Sequence, residues 1–193
     1  MSDFLTAHYW NNRYLNNQFG WDLGKVSPPI KEYIDGISNK KLKILIPGCG
    51  TGYEGEFIFN KGFNNIHLLD FASQPLHKFH CRNLNFPQAN LHIGDFFLHD
   101  GKYDLIIEQT FFCAIDPNLR GAYAKKISSL LNPNGKLVGL LFDREFEGGP
   151  PFGGSQSEYM DVFKPFFASV SIETCYNSIE PRAGTELFIQ MIK

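Results

Sequence analysis

The sequence predicts an α/β fold: a Rossmann-like, doubly wound, mostly parallel sheet that ends in an antiparallel hairpin. Three observations carry this. Apolar, strand-like runs alternate with helix-like segments between residues 42 and 142. The first apolar run meets a glycine loop, Gly48-Cys49-Gly50-Thr51-Gly52, and a helix-like segment follows. A second apolar run, Ile66-His67-Leu68-Leu69, ends in Asp70, eighteen residues after Gly52. Strand, tight turn, helix, strand and acid make half of a nucleotide-binding unit.

The elements follow in order. Ser2 or Asp3 can cap a first helix that runs toward Asn17. Residues 19–24 read as a loop. Pro28 or Pro29 opens a short second helix that stops near Gly36. Strands are expected over 42–46, 66–69, 90–93, 103–108 and 136–142; their apolar character suits a parallel sheet buried on both faces. Helices are expected over 53–60, stopped by Gly62, over 74–83, and over 118–131, stopped by Asn132-Pro133-Asn134-Gly135. The glycines and prolines of 147–155 exclude regular structure. A short helix over 157–163 precedes the runs 167–175 and 186–191, a closing antiparallel pair. We read residues 1–193 as a single domain, with 1–40 as a cap or arm and 41–193 as the Rossmann-like core.

Composition excludes several classes. Of 193 residues, 43% are hydrophobic and 20% charged, ordinary for a globular protein with a real core. The net charge is −2, and Lys40, Lys41 and Lys43 form only a short cluster. This argues against a nucleic-acid partner, which would need a positive footprint. Four cysteines lie far apart without a CxxC pair, so neither a zinc site nor a disulfide framework is expected. His77, His80 and Cys81 share a helix, but nothing completes a metal site around them. The first residues carry no apolar signal segment, and no run reaches membrane-spanning length. A cytoplasmic location and no membrane partner are therefore expected. No long apolar stripe is left unassigned, which favours a monomer.

In such a sheet the ligand sits beyond the carboxyl ends of the strands. Those ends supply the glycine loop, Asp70, Asp95-Phe96 and Glu108-Gln109-Thr110. The dinucleotide pattern wants a third glycine at 53, where this chain has Tyr53, and no Lys-Ser/Thr pair makes a phosphate loop. The spacing suits S-adenosylmethionine (SAM) better than NAD or ATP, although a bare glycine loop can also be a plain β–α turn. Gly48, Gly50 and Gly52 let the backbone approach the methionine part. Asp70 is placed to accept from the ribose hydroxyls, Asp95 from the adenine amino group, with the Phe96 amide facing the ring. Trp10 and Trp21 read either as a hydrophobic staple for the arm or as a lid whose indoles face a sulfonium.

These stretches bring a family into view. The chain resembles the thiopurine S-methyltransferase superfamily, with its bacterial members and its plant halide/thiol branch. The resemblance runs in order through Tyr9-Trp10, Arg13-Tyr14, Gly20-Trp21-Asp22, Ile46-Pro47-Gly48-Cys49-Gly50, Gly94-Asp95-Phe96-Phe97 and Tyr103-Asp104-Leu105-Ile106. It continues through Glu108–Ile115 to Arg120, Tyr123 and Ala124, and ends on Gly148-Gly149-Pro150-Pro151-Phe152. It implies a seven-stranded class I methyltransferase with an N-terminal helical cap. It places Trp10, Trp21, Cys49 and the loop glycines at the methionine end of SAM, Asp70 on the ribose, Asp95 and Phe96 on the adenine, and Glu108, Gln109 and Thr110 beside the sulfonium. Arg120 and Tyr123 fall on the substrate side as the catalytic pair, although the start of a helix is also an ordinary place for a solvated arginine. The implied reaction is direct in-line methyl transfer to a small soft nucleophile: a thiol or thiopurine, bisulfide, thiocyanate, a halide or a selenium species, leaving S-adenosylhomocysteine (SAH). Such transfer needs no protein nucleophile, so Cys49 and Cys113 are expected to be structural. The alternatives are O- or N-methylation of a small metabolite, SAM binding without turnover, and, more distantly, an NAD oxidoreductase.

Overall fold

The computed structural model describes residues 4–193. Seven strands form one sheet: β1 (Ile44–Pro47), β2 (Ile66–Asp70), β3 (Leu91–Ile93), β4 (Tyr103–Gln109), β5 (Leu131–Phe142), β6 (Ser169–Thr174) and β7 (Glu186–Ile192). Their order is β3-β2-β1-β4-β5-β7-β6. The first five run parallel, and β7 inserts antiparallel between β5 and β6. The chain therefore reverses direction across the sheet between β1 and β4, which is where α/β sheets open a crevice at their carboxyl edge.

The helices are α1 (Ala7–Leu15), α2 (Pro28–Asp35), α3 (Tyr53–Asn60), α4 (Ser73–Arg82), α5 (Arg120–Leu130) and α6 (Gln156–Phe163). They cover both faces because the central strands alternate apolar side chains between two cores. Ile44 and Ile46 of β1 and Leu105 and Ile107 of β4 pack with Ile30, Ile34, Ile58, Leu76 and Phe79 of the helices on one face. Leu45, Ile106, Leu137 and Leu141 point the other way and meet Tyr123, Ile127, Tyr159 and Phe163 of α5 and α6. Among the described residues no helix is long and apolar enough to cross a membrane.

Local differences from the sequence reading have physical causes. The proposed caps Ser2 and Asp3 lie outside the described residues; Thr6 caps α1, its hydroxyl accepting from the Tyr9 amide at 3.2 Å. The helix ends at Leu15 rather than Asn17, and Asn17 takes a left-handed turn with φ 55°. Pro117–Leu119 is a 3-10 turn, so α5 begins at Arg120. The Asn132–Gly135 terminator does not separate helix from strand but bulges out of β5. Leu131 already pairs with Tyr103, and regular pairing resumes at Lys136 with Leu105.

Candidate functional site

The glycine loop follows β1 directly, and three of its residues need glycine's backbone freedom: Gly48, Gly50 and Gly52 have φ of 57°, 52° and 75°. Gly50 shows why most clearly. Its amide donates to Asp70 Oδ2 at 2.8 Å, and a Cβ there would stand 2.6 Å from the Tyr14 hydroxyl. The phenol of the cap helix thus rests on the loop backbone. Asp70 Oδ1 accepts from the Ala72 amide at 2.8 Å. Burial raises the Asp70 carboxyl to about 6, with the backbone N–H groups acting against that rise. Burial also pushes the Cys49 thiol well up, so it is no nucleophile.

A cavity of about 840 Å³ runs along the carboxyl ends of the strands. Of the twelve residues expected to hold the cofactor, all but Glu108 line it. Trp10 and Trp21 meet edge to face, centroids 5.5 Å apart, and Tyr14 meets Trp21 likewise at 5.9 Å. Both tryptophans are therefore staple and wall at once. Within the cap, Arg13 lies 5.1 Å over the Trp21 ring, and from the core Arg182 Nη2 donates to the Trp21 carbonyl at 2.8 Å. Asp95 caps a 3-10 turn at Phe96–Leu98, its Oδ1 accepting from the Phe97 amide at 2.8 Å.

Glu108 sits behind the wall, fully buried. Its Oε1 accepts from the amides of Phe111 and Phe112 at 2.8 and 2.9 Å, and its Oε2 accepts from the Tyr123 hydroxyl at 2.5 Å. These bonds hold the turn after β4, where Thr110 has φ 59°, a left-handed conformation that a β-branched residue avoids. Burial raises the Glu108 carboxyl to about 7.

Arg120 and Tyr123 share the inward face of α5 and do not line the cavity. Arg120 donates to Glu158 and, at 2.7 Å, to the Gly153 carbonyl. The Phe152 amide donates to the Cys113 carbonyl at 2.7 Å. Arg120 thus anchors the Gly148–Phe152 loop, whose Pro150 and Pro151 form cavity wall. Arg120→Ala is expected to cost about 2 kcal/mol of stability, since the arginine is buried but Glu158 is half exposed. Kinetics should show the acceptor KM raised several-fold and the SAM KM unchanged; an equal rise in both would place Arg120 on the cofactor side.

Tyr14, Asp22, Arg144 and Arg182 line the cavity without having been expected as site residues, whereas Phe111, expected beside the sulfonium, lines it too. Tyr14 had a signal, since it follows Trp10 by one helical turn. Asp22 receives the Thr51 hydroxyl, a contact across 29 residues that no local pattern shows. Among the described residues no three His, Cys, Asp or Glu side chains are grouped to hold a metal ion.

A reversed seventh strand beside a parallel sheet, with a glycine loop and an acid on adjacent strand ends, defines the class I methyltransferases that use SAM. The fold of a solved member matches over nearly all of the chain. It is the Burkholderia thailandensis 1,6-didemethyltoxoflavin-N1-methyltransferase with bound 1,6-didemethyltoxoflavin and SAH (TM-score 0.74, 15% identity, 97% of this chain and 86% of that one). The family model for thiopurine S-methyltransferase matches residues 5–188. Two plant relatives are more similar in sequence. "Probable thiol methyltransferase 2" of Arabidopsis thaliana is 33% identical over 184 residues, and "Thiocyanate methyltransferase 1" of Brassica oleracea is 32% identical over 184 residues. Each match covers 92% of this chain and 81% of the relative. The chain belongs to the thiopurine S-methyltransferase family, and it is a SAM-dependent S-methyltransferase.

Proposed function

We propose that this chain methylates a small soft nucleophile: a thiol or thiopurine, bisulfide, thiocyanate, a halide or a selenium species. The observation that carries this is the acceptor half of the cavity. It lies toward β4 and β5 and is walled by Phe111, Ile115, Phe146, Pro150 and Pro151. Glu108, behind this wall, has both oxygens engaged, and Asp116 has one. Glu108 accepts three protein donors, and Asp116 accepts from the backbone and side chain of Asn118. Cys113 is pushed up to about 12 by burial. Such a wall suits an acceptor that is anionic without help from a base, because the protein then contributes position and exclusion of water.

When bound, SAM supplies an electrophilic methyl carbon on a sulfonium, and transfer leaves neutral SAH. The glycine loop and Asp70 hold the sugar and methionine end, Asp95 and Phe96 the base, and Trp10 and Trp21 cover the cap side. Gln109, Thr110 and Phe111 direct the acceptor. Tyr123 and Arg120 act as positioning residues, Tyr123 through Glu108 and Arg120 through the Pro150–Pro151 wall. Purified protein incubated with methyl-labelled SAM and a panel of bisulfide, thiocyanate, iodide, aryl thiols, phenols and anilines tests the reading. Labelled methanethiol, methyl thiocyanate, methyl iodide or aryl methyl sulfides are the expected products. Turnover of the phenols or anilines alone would overturn it.

A further inference from the structure

Among the described residues four cationic side chains line the cavity, and they are not equivalent. Arg13 donates to the Gln18 carbonyl and the Tyr9 hydroxyl. Arg182 is shared between Glu186 and the Trp21 carbonyl. Lys25 has no ion pair among the described residues, but it stands on the cap segment between α1 and α2, on a flexible stem. Arg144 is different. It follows β5 on the acceptor side, and among the described residues its guanidinium has no carboxylate and no hydrogen-bond acceptor.

Its backbone is nevertheless fixed. The Arg144 carbonyl accepts from the Gly154 amide at 3.1 Å in an antiparallel bridge, and a Cβ on Gly153 would stand 1.8 Å from that carbonyl. The guanidinium carbon lies 4.7 Å from the Phe146 ring centre. Phe146 in turn packs edge to face on Phe142 at 5.0 Å. Arg144 is exposed at the cavity mouth; one face of its guanidinium is supported by a ring, and its N–H edge is open to solvent and to a ligand in the cavity.

We propose that Arg144 is a specificity-determining residue that binds an oxyanion substituent, a carboxylate first, on an aromatic thiol acceptor. The proposal rests on the soft-nucleophile reading above and narrows its substrate class. A planar fork of donors matches a carboxylate in two parallel hydrogen bonds. It matches a reacting sulfur poorly, because drawing charge from a thiolate would weaken its attack. Geometry agrees: the sulfur must face the sulfonium, placed beside Gln109 and Thr110 at the end of β4, whereas Arg144 stands beyond the end of β5. The phenylalanines and prolines between them suit an aromatic body.

The test compares 4-mercaptobenzoate with 4-methylbenzenethiol as acceptors. In parallel, SAH-saturated protein is titrated calorimetrically with 4-(methylthio)benzoate and with its methyl counterpart. Wild type is expected to favour the carboxylates by about tenfold in kcat/KM and in Kd, about the effect of one charge-assisted contact. Raising the ionic strength should shrink that preference. Arg144→Gln should abolish it, with the carboxylate acceptor losing about tenfold more kcat/KM than 4-methylbenzenethiol, and Arg144→Lys should keep part of it. No preference in wild type, a preference that survives Arg144→Gln, or an equal fall for both thiols would overturn the proposal. If the carboxylate thioether binds through Arg144 but no thiol is methylated, the soft-nucleophile reading fails and the anion subsite stands. If both thiols are methylated without preference, the anion subsite fails and the soft-nucleophile reading stands.

Discussion

Asp70→Ala is expected to lower affinity for SAM and SAH by at least about 100-fold, read by calorimetric titration of folded protein. The carboxylate sits at the end of β2, lines the cavity, and already accepts from Gly50 and Ala72. Each of its oxygens has a remaining lone pair for a ribose hydroxyl. Two hydrogen bonds to a charged acceptor contribute about 3–6 kcal/mol, and each 1.4 kcal/mol is a tenfold change. The ionised form is the acceptor, and burial has raised this carboxyl to about 6. Affinity should therefore rise between pH 5 and pH 8, and Asp70→Asn should flatten that profile. The unliganded protein responds with the opposite sign. A carboxyl raised above its unfolded value of 3.8 contributes stability below that value and loses it as pH rises through about 6. Ionised Asp70 thus opposes folding at neutral pH, and a bound diol offsets that cost. The wild-type protein should gain more thermal stability from SAH at pH 8 than at pH 5. An identical gain at both would separate Asp70 from the ribose.

The cavity rim at the ends of β1 and β2 was legible in the sequence; toward β4 and β5, Phe111 and the Gly148–Phe152 loop were legible and the arginines were not. Asp70 and the glycine loop sit at the ends of adjacent strands, so chain position alone put them on one rim. Ile44, Leu45 and Ile46 announced a central strand because a strand covered on both faces must be apolar at every position. The insertion of β7 between β5 and β6 was less visible, because an antiparallel pair reads the same whichever member lies inside. Arg120 and Tyr123 share a helix face, as their spacing says, but spacing does not say whether that face looks toward ligand or core. The answer depends on Glu108 and Glu158, far from α5 in sequence. Arg144 and Arg182 stand in loops with no periodicity to read. Their difference, one without a partner among the described residues and one bound to Glu186 and Trp21, exists only in three dimensions.

Glu108→Ala should be the most disruptive single change on the acceptor side, costing at least about 3 kcal/mol and most of the turnover. Removing the carboxylate strands three donors at once: the amides of Phe111 and Phe112 and the hydroxyl of Tyr123. Each buried donor left without a partner costs about 1–3 kcal/mol. Those donors hold the turn in which Thr110 is strained, so its release moves Thr110 and Phe111, both cavity wall. The site has no slack on the strand side either. Gly139 pairs with Glu108, and a Cβ on Gly139 would stand 2.2 Å from the Glu108 carbonyl. Glu108→Gln separates shape from charge. Its carbonyl can still accept from the two amides, and Tyr123 can reorient its hydroxyl. Because the Glu108 carboxyl is raised to about 7 from 4.5, wild type loses its contribution as pH rises through 7. The stability gap between wild type and Glu108→Gln should therefore narrow from pH 5 to pH 8 in denaturant titrations. A gap independent of pH would mean that Glu108 does not take up its proton in the folded protein over that range.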